Sequence, residues 1–424
     1  MHRSLWAGFL LLLLAPMAHG QSAIKLGKQS TTFFYTQLNL NAGISTGPGG
    51  TQFGIPNYGP ANQLAFQLMG KSQSNLQRGY VPLISLSSWR IRTSLSYSES
   101  VDADGDKTGF RSINLLDAWL KFGTKWDRTS FKVGYGQMTY GHNPALDPVS
   151  NFMTNMMSAD LGFSRDLGVY LKTPVSRALD LEVGLTSGGW MGNTLLSTTY
   201  EFGQDPVVVV VPNEGPGGGN GGGNGGGGGP GGGGGNGNGG GNVVVVEEGT
   251  ETTSSTSFRD LSYNGTWLMS GRLGQQSFRS SEVGLIGAAG RINSHFLDGE
   301  TMGVAHIGLD WVYKKQERFR LTNQFATGIN SASESGSFFS FSLQNNLDVF
   351  LHGKVILSFA HSLNLQQGRD VDVNYLASTL SNSLTYVISP HTRLRLNQRI
   401  TASDYSGNSG YGVYLQFVTG LGKR

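Results

Sequence analysis

Basic residues recur at alternate positions in two short stretches of this 424-residue chain: Arg90 and Arg92 in WRIRTSLSY, and Arg393, Arg395 and Arg399 in TRLRLNQRI. A guanidinium stays charged at any accessible pH and binds an oxyanion through two donors at once. A row of them is therefore suited to handling anions. The residues between them are apolar: Ile91 in the first stretch, Leu394, Leu396 and Ile400 in the second. If each stretch is a β-strand, successive side chains point to opposite faces, and the cations share one of them. Lys121, Lys132, Lys172, Lys314, Arg318, Arg320 and Lys354 are read onto the same polar faces, and so are Asp117, Asp166, Asp180, Glu182 and Asp310. That makes twelve basic residues against five acidic ones. A charge turned toward lipid is costly, so these groups are expected to point inward, where a surplus of Arg and Lys concentrates anions. Many of them also lie near strand ends, where Lys and Arg can simply mark an interface.

Other chemistries find less support. The chain has no cysteine, which excludes disulfides, thiolate nucleophiles and iron–sulfur clusters. The histidines after residue 20 are His142, His295, His306, His352, His361 and His391. His361 precedes Ser362, but neighbours on a strand face opposite ways and cannot form a nucleophile–base pair. No His, Asp and Glu set has metal-ligand spacing. The glycine triplets between 212 and 242 lack the strand-to-helix context and the Lys-Ser/Thr of a phosphate cradle. A net charge of +3 is too small to argue for nucleic acid. The expectation is a protein that is not an enzyme and carries no cofactor or metal.

The elements that would position these charges are strands. Residues 1–20 read as a signal peptide, with Arg3, an apolar run from Leu5 to Leu14, and Ala18-His19-Gly20 before cleavage at Gln21. The rest, 21–424, shows alternation rather than helical periodicity. Leu179, Leu181, Val183 and Leu185 alternate with Asp180, Glu182, Gly184 and Thr186, and Tyr411, Val413, Leu415 and Phe417 repeat the pattern near the end. About sixteen segments read this way: 31–44, 61–70, 81–98, 109–124, 129–139, 162–173, 178–190, 257–273, 279–292, 301–315, 317–331, 336–350, 352–366, 372–389, 391–403 and 409–420. Many are longer than the ~5–6 residues of soluble strands. Their connections alternate between short (124–128, 173–178, 275–277, 314–318, 351–354, 389–392) and long or polar (45–60, 98–109, 140–162). This is the pattern of an all-β, transmembrane antiparallel barrel with tight turns on one side of the membrane and long extracellular loops on the other. A barrel of about sixteen strands is wide enough for an aqueous channel.

With both termini periplasmic, the connection after the seventh strand faces outward. It carries residues 212–242, which hold 21 of the chain's 64 glycines and cannot bury a core. The valine runs 207–211 and 243–246 on either side could pair as a hairpin stalk. The loop 140–161 includes Asp147 and Asp160. It has two readings: a constriction element folded into the barrel mouth, or a surface loop packed on its neighbours.

Residues 115–190 resemble the phosphate-selective porin O and P family of Gram-negative outer membranes. LLDAWLKF (115–122), FKVGYGQMTYGHNP (131–144), SRDLGVYLK (164–172) and LDLEVGLTSG (179–188) carry the resemblance. The usual proline after the second motif's Gly-Gln element is absent, and Met138-Thr139-Tyr140 stands there instead. The resemblance implies a diffusion or anion-preferring porin of the outer membrane, often homotrimeric, in contact with outer-membrane lipid and with small anionic or neutral solutes. The other reading is a non-conducting barrel subunit or scaffold of an outer-membrane complex.

Overall fold

In the computed structural model the described residues are 24–25, 30–47, 50–54, 62–72, 84–101, 107–124, 129–140, 165–188, 190–191, 196–202, 208–211, 243–246, 252–256, 265–275, 281–294, 301–315, 318–332, 336–368, 374–389, 391–403 and 409–421. Sixteen strands form the barrel wall: β1 (Ser30–Gly47), β2 (Asn62–Ser72), β3 (Ile84–Val101), β4 (Lys107–Thr124), β5 (Ser130–Gln137), β6 (Arg165–Pro174), β7 (Leu179–Thr186), β8 (Trp267–Gln275), β9 (Ser281–Ser294), β10 (Thr301–Lys315), β11 (Phe319–Ala332), β12 (Gly336–Leu351), β13 (Val355–Gly368), β14 (Asn374–Ser389), β15 (Thr392–Ser403) and β16 (Gly410–Leu421). Each pairs antiparallel with its chain neighbours, and β16 pairs back onto β1 through Leu415↔Ala42. The longest insertion does not interrupt the wall, because β7 pairs directly with β8 through Leu185↔Met269. Closure gives every wall strand a neighbour on both sides, as a membrane demands.

The outer face is apolar. Ile113, Leu185, Ile307 and Ile329 are each more than half exposed. Phe122 stacks on Phe131 at 5.0 Å near the rim bearing the short turns, where Trp311, Tyr313 and Phe319 form a second aromatic group. Trp267, Phe339 and Tyr411 lie toward the opposite rim. Aromatic girdles at both edges of an apolar band mark a transmembrane barrel, the architecture of the Gram-negative outer membrane.

Both rims largely follow the expected alternation. Residues 125–129, 175–178, 276–280, 316–318, 352–354 and 390–391 connect strands at one rim, while 138–164 and 187–266 leave from the other. Two connections depart from it: 73–83 is a longer one on the short-turn rim, and 333–335 is a three-residue one on the long-loop rim. The polar stretch 98–109, read as a loop, is mostly strand: β3 runs to Val101 and β4 starts at Lys107, paired through Ser98↔Phe110. The eighth strand, expected from 257, begins at Trp267.

Several short strands lie beyond the wall, and two sets of them bear on the sequence reading. β5 has only eight residues, so the upper half of β4 would have a bare edge. Leu196–Phe202 covers it, pairing Leu196↔Leu115 through Phe202↔Gly109, and Thr252–Thr256 pairs with that strand in turn. The valine runs do form a hairpin, Val208–Val211 against Val243–Val246. Residues 1–23 and 212–242 lie outside the described residues.

Candidate functional site

The inner wall is polar because the outer wall is not. On β12, Phe339, Phe341, Leu343 and Leu347 turn outward, which leaves Ser340, Ser342, Gln344, Asn346 and Asp348 buried inside. The same alternation places the sequence-derived charges. Arg90 and Arg92 on β3 face inward between Trp89, Ile91 and Thr93. A register shift at Leu116 on β4 moves the phase by one residue, so both Asn114 and Asp117 are buried on the inner side. Arg90 stands 3.7 Å from Asp117 and 5.4 Å from the Trp119 ring. Arg92 donates to Gln37 at 3.4 Å. Lys121 and Lys132 are direct cross-strand partners on the inner face. Lys132 sits 4.0 Å from the centre of the Tyr170 ring and donates to the Gln137 carbonyl at 3.1 Å.

Further round the wall, cations meet carboxylates. Lys172 bonds Glu182 at 2.5 Å with Asp180 at 3.9 Å. Arg320 donates twice to Asp348, whose other oxygen accepts from Ser358 at 2.7 Å. Lys314 lies 3.9 Å from Glu282. Arg272 forms a bidentate pair with Asp310, Nε to Oδ2 at 2.6 Å and Nη2 to Oδ1 at 2.8 Å. It reaches Asp310 two strands away by lying across β9 at Gly284, where an added Cβ would meet the guanidinium at 2.7 Å. Asp166 has another task. Its carboxylate accepts from Ser187 Oγ at 2.5 Å and from the Gly188 N–H at 2.8 Å, fastening the root of the 187–266 connection.

Arg393, Arg395 and Arg399 all occupy inward positions of β15, opposite Val418, Gln416 and Gly412 of β16. Arg395 is only 1% exposed and donates to Gln416 at 3.1 Å, and Gln416 donates to Asn39 on β1 at 3.0 Å. Arg318 and Lys354 stand in the exposed turns at the short-turn rim rather than on the wall. Asp147 and Asp160 lie outside the described residues.

Sequence reading passed over Arg272, Glu282 and Asp348. Each was legible, since outward Leu273, Val283 and Leu347 beside them set the phase of the alternation. With these and Lys71 of β2 included, the described wall carries twelve inward cations and seven inward carboxylates, unevenly spread. From β15 round through β5 there are eight cations (Arg393, Arg395, Arg399, Lys71, Arg90, Arg92, Lys121, Lys132) and one carboxylate, Asp117. From β6 to β12 there are four cations and six carboxylates.

Toward the long-loop rim, β8 to β12 turn an apolar patch inward: Leu268, Ile286, Ile292, Met302, Val304 and Phe338 are buried. Met138 and Tyr140, just past the end of β5, belong to this cluster, so the chain leaving β5 runs inward across the barrel at its root. Among the described residues the histidines form no nucleophile–base arrangement, and His142 and His295 lie outside the described residues. His361 faces outward and contacts Ser378, while a single nitrogen of buried His306 meets both Asn330 and Ser340. Among the described residues no group of three or more His, Asp or Glu is placed to hold a metal.

No protein-family model matches the sequence, and no curated protein is similar to it. Solved structures are similar in fold. An anion-selective porin from Comamonas acidovorans superposes with a TM-score of 0.52 at 10% identity, over 92% of this chain and 100% of that one. OmpT of Vibrio cholerae, expressed in the outer membrane, gives 0.54 at 8% identity, over 94% and 100%. The outer membrane channel DcaP of Acinetobacter baumannii gives 0.50 at 8% identity, over 94% and 99%. The chain's closed sixteen-strand barrel is thus similar in fold to outer-membrane porins and channels.

Proposed function

We propose that this chain is a passive porin of the Gram-negative outer membrane, a water-filled path for small hydrophilic solutes with a preference for anions. The observation that carries the reading is the arc from β15 to β5, where eight inward cations face one inward carboxylate among the described residues. A fixed positive field in a cleft with low-dielectric walls raises the local concentration of anions. The porin folds of the neighbouring structures, one of them an anion-selective porin, support the same reading, as does the resemblance of residues 115–190 to the O and P porins. Residues 1–20 would then be the export signal and 212–242 an extracellular insert. Asp147 and Asp160 would lie in the loop that narrows the mouth.

The apolar inner patch with Met138 and Tyr140 seated on it favours a second reading, a blocked barrel serving as a scaffold. Purified protein in a planar bilayer separates the two. A porin gives discrete conductance steps, and a salt gradient gives a reversal potential of the sign set by anion flow. A scaffold gives no steps, and a cation-signed potential would remove the anion preference.

A further inference from the structure

On the described wall strands tryptophan is an outward residue with one exception. Trp89, Trp267 and Trp311 face lipid, and the last two are 48% and 40% exposed. Trp119 of β4 faces the lumen, between Asp117 and Lys121 on the same inner face. It stands five residues from the end of β4 at the short-turn rim. With ~3.3 Å rise and a tilt of ~40°, that is about 13 Å inside, near the middle of a band about 25 Å tall. The wall leaves room for the ring. Its neighbours at this level on β5 and β6 are Gly134 and Gly168, and the indole leans over Gly136, where an added Cβ would stand 3.1 Å from Cδ1. Inward Tyr170 and Tyr414 are buried in the wall, whereas Trp119 keeps part of its surface open.

Three partly exposed cations surround this ring from three strands. Arg90, its cross-strand partner on β3, holds its guanidinium 5.4 Å from the ring centre. Lys121 follows two positions along β4, and its ammonium makes no hydrogen bond or ion pair with any described residue. Lys132 Nζ on β5 lies 3.6 Å from the same Gly136 Cβ position that Trp119 Cδ1 approaches. It rests on Tyr170 and gives one N–H to the Gln137 carbonyl, and an ammonium has two more. Asp117, the one carboxylate beside them, is buried and 3.7 Å from Arg90. A flat apolar surface ringed by cations fits a solute that carries an oxyanion on a flat ring. We propose that Trp119, Arg90, Lys121 and Lys132 form a lumen site for aromatic carboxylates and sulfonates. The indole takes the ring by offset stacking, and the cations take the oxyanion. Such contacts are modest, which suits a solute that must leave as readily as it enters. Small inorganic anions gain nothing from the indole, so the site separates ring-bearing anions from them. This inference deepens the porin reading and rests on it for the route by which the solute arrives.

Purified protein in a planar bilayer tests it with two probes that share a head group. Benzenesulfonate is expected to halve the chloride current at a concentration about three- to tenfold below that of ethanesulfonate, the range a single aromatic contact contributes. In Trp119→Leu, or Trp119→Met if the first does not fold, the two concentrations should converge, and Trp119→Phe should keep them apart. Lys121→Gln should raise both by about twofold, because the head group is common to them. Absence of conductance would overturn the porin reading and leave the site to a second measurement, saturation-transfer NMR on the folded protein in detergent. There the ring protons of benzenesulfonate should receive magnetisation from the wild type and much less from Trp119→Leu. Equal half-blocking concentrations for the two probes in the wild type, a Trp119→Leu channel that still separates them, a Lys121→Gln channel blocked like the wild type, or magnetisation transfer that does not depend on Trp119 would each overturn the proposal.

Discussion

Replacing Arg393, Arg395 and Arg399 together by glutamine tests the charge argument at its centre. Sixteen strands ~4.8 Å apart and tilted by ~40° close into a barrel of radius about 16 Å, which puts an arginine head roughly 10 Å from the axis. In water, one unit charge at that distance acts on an ion with about 0.4 kcal/mol. At 0.1 M salt one Debye length of screening reduces this to roughly 0.15 kcal/mol per arginine, or about 0.5 kcal/mol for the three. That changes the axial concentration of each ion about twofold, in opposite directions for anion and cation. The permeability ratio should therefore fall about fourfold at 0.1 M, and hardly at all at 1 M, where the screening length is ~3 Å. Reversal potentials at the two salt levels read it directly. Burial of Arg395 does not weaken the expectation, because a field acts without contact. An unchanged ratio at 0.1 M, with conductance intact, would mean that these charges lie off the conduction path, and the reasoning would fail.

Asp310→Ala should lower stability by about 3–5 kcal/mol, because it strands the buried Arg272 guanidinium, and joint replacement of both by apolar residues should restore most of the loss. The readout is the urea midpoint of the folded barrel. Tyr140→Ala should raise single-channel conductance if the root of the 138–164 connection narrows the lumen, while unchanged step size would place that root away from the path. Deleting 213–242 should leave the compact, detergent-resistant form intact, because the segment's composition offers nothing to bury. Lys121→Glu should raise stability by up to ~1 kcal/mol through pairing with Lys132 opposite, and should lower anion preference in the same protein.

All sixteen wall strands were legible because lipid imposes one rule on every strand: the outward residue is apolar. Where both faces turn polar, the rule loses its signal. Ser96 and Ser98 face inward near a rim, and Lys107 to Gly109 continue the strand beyond, yet SESVDADGDKTG reads as a loop. The Leu196–Phe202 edge strand was hidden for another reason. It exists to cover β4 above the short β5, a need set by neighbours far away in sequence. Arg318 and Lys354 alternate with apolar residues as wall positions do, but they sit where the chain reverses, and strand ends are the least certain feature of such a reading. The ion pairs could not be read at all. Arg272 and Asp310 are 38 residues apart and meet only because Gly284 lets the guanidinium cross the strand between them.

The two arcs of the wall differ in what their charges can do for folding. From β6 to β12 every inward cation has a carboxylate within 4 Å, so these charges tie neighbouring strands together. From β15 to β5 the same device is nearly absent among the described residues. Lys121 and Lys132 oppose each other directly, an arrangement that costs stability, and an acidic residue at either position would turn the cost into a gain. Asp117, the one carboxylate there, sits beside Arg90 and leaves the arc strongly positive. Under the proposed function, the contiguous run of inward cations in this arc supplies a positive field to the lumen, and that field acts whatever contacts the individual side chains make within the wall.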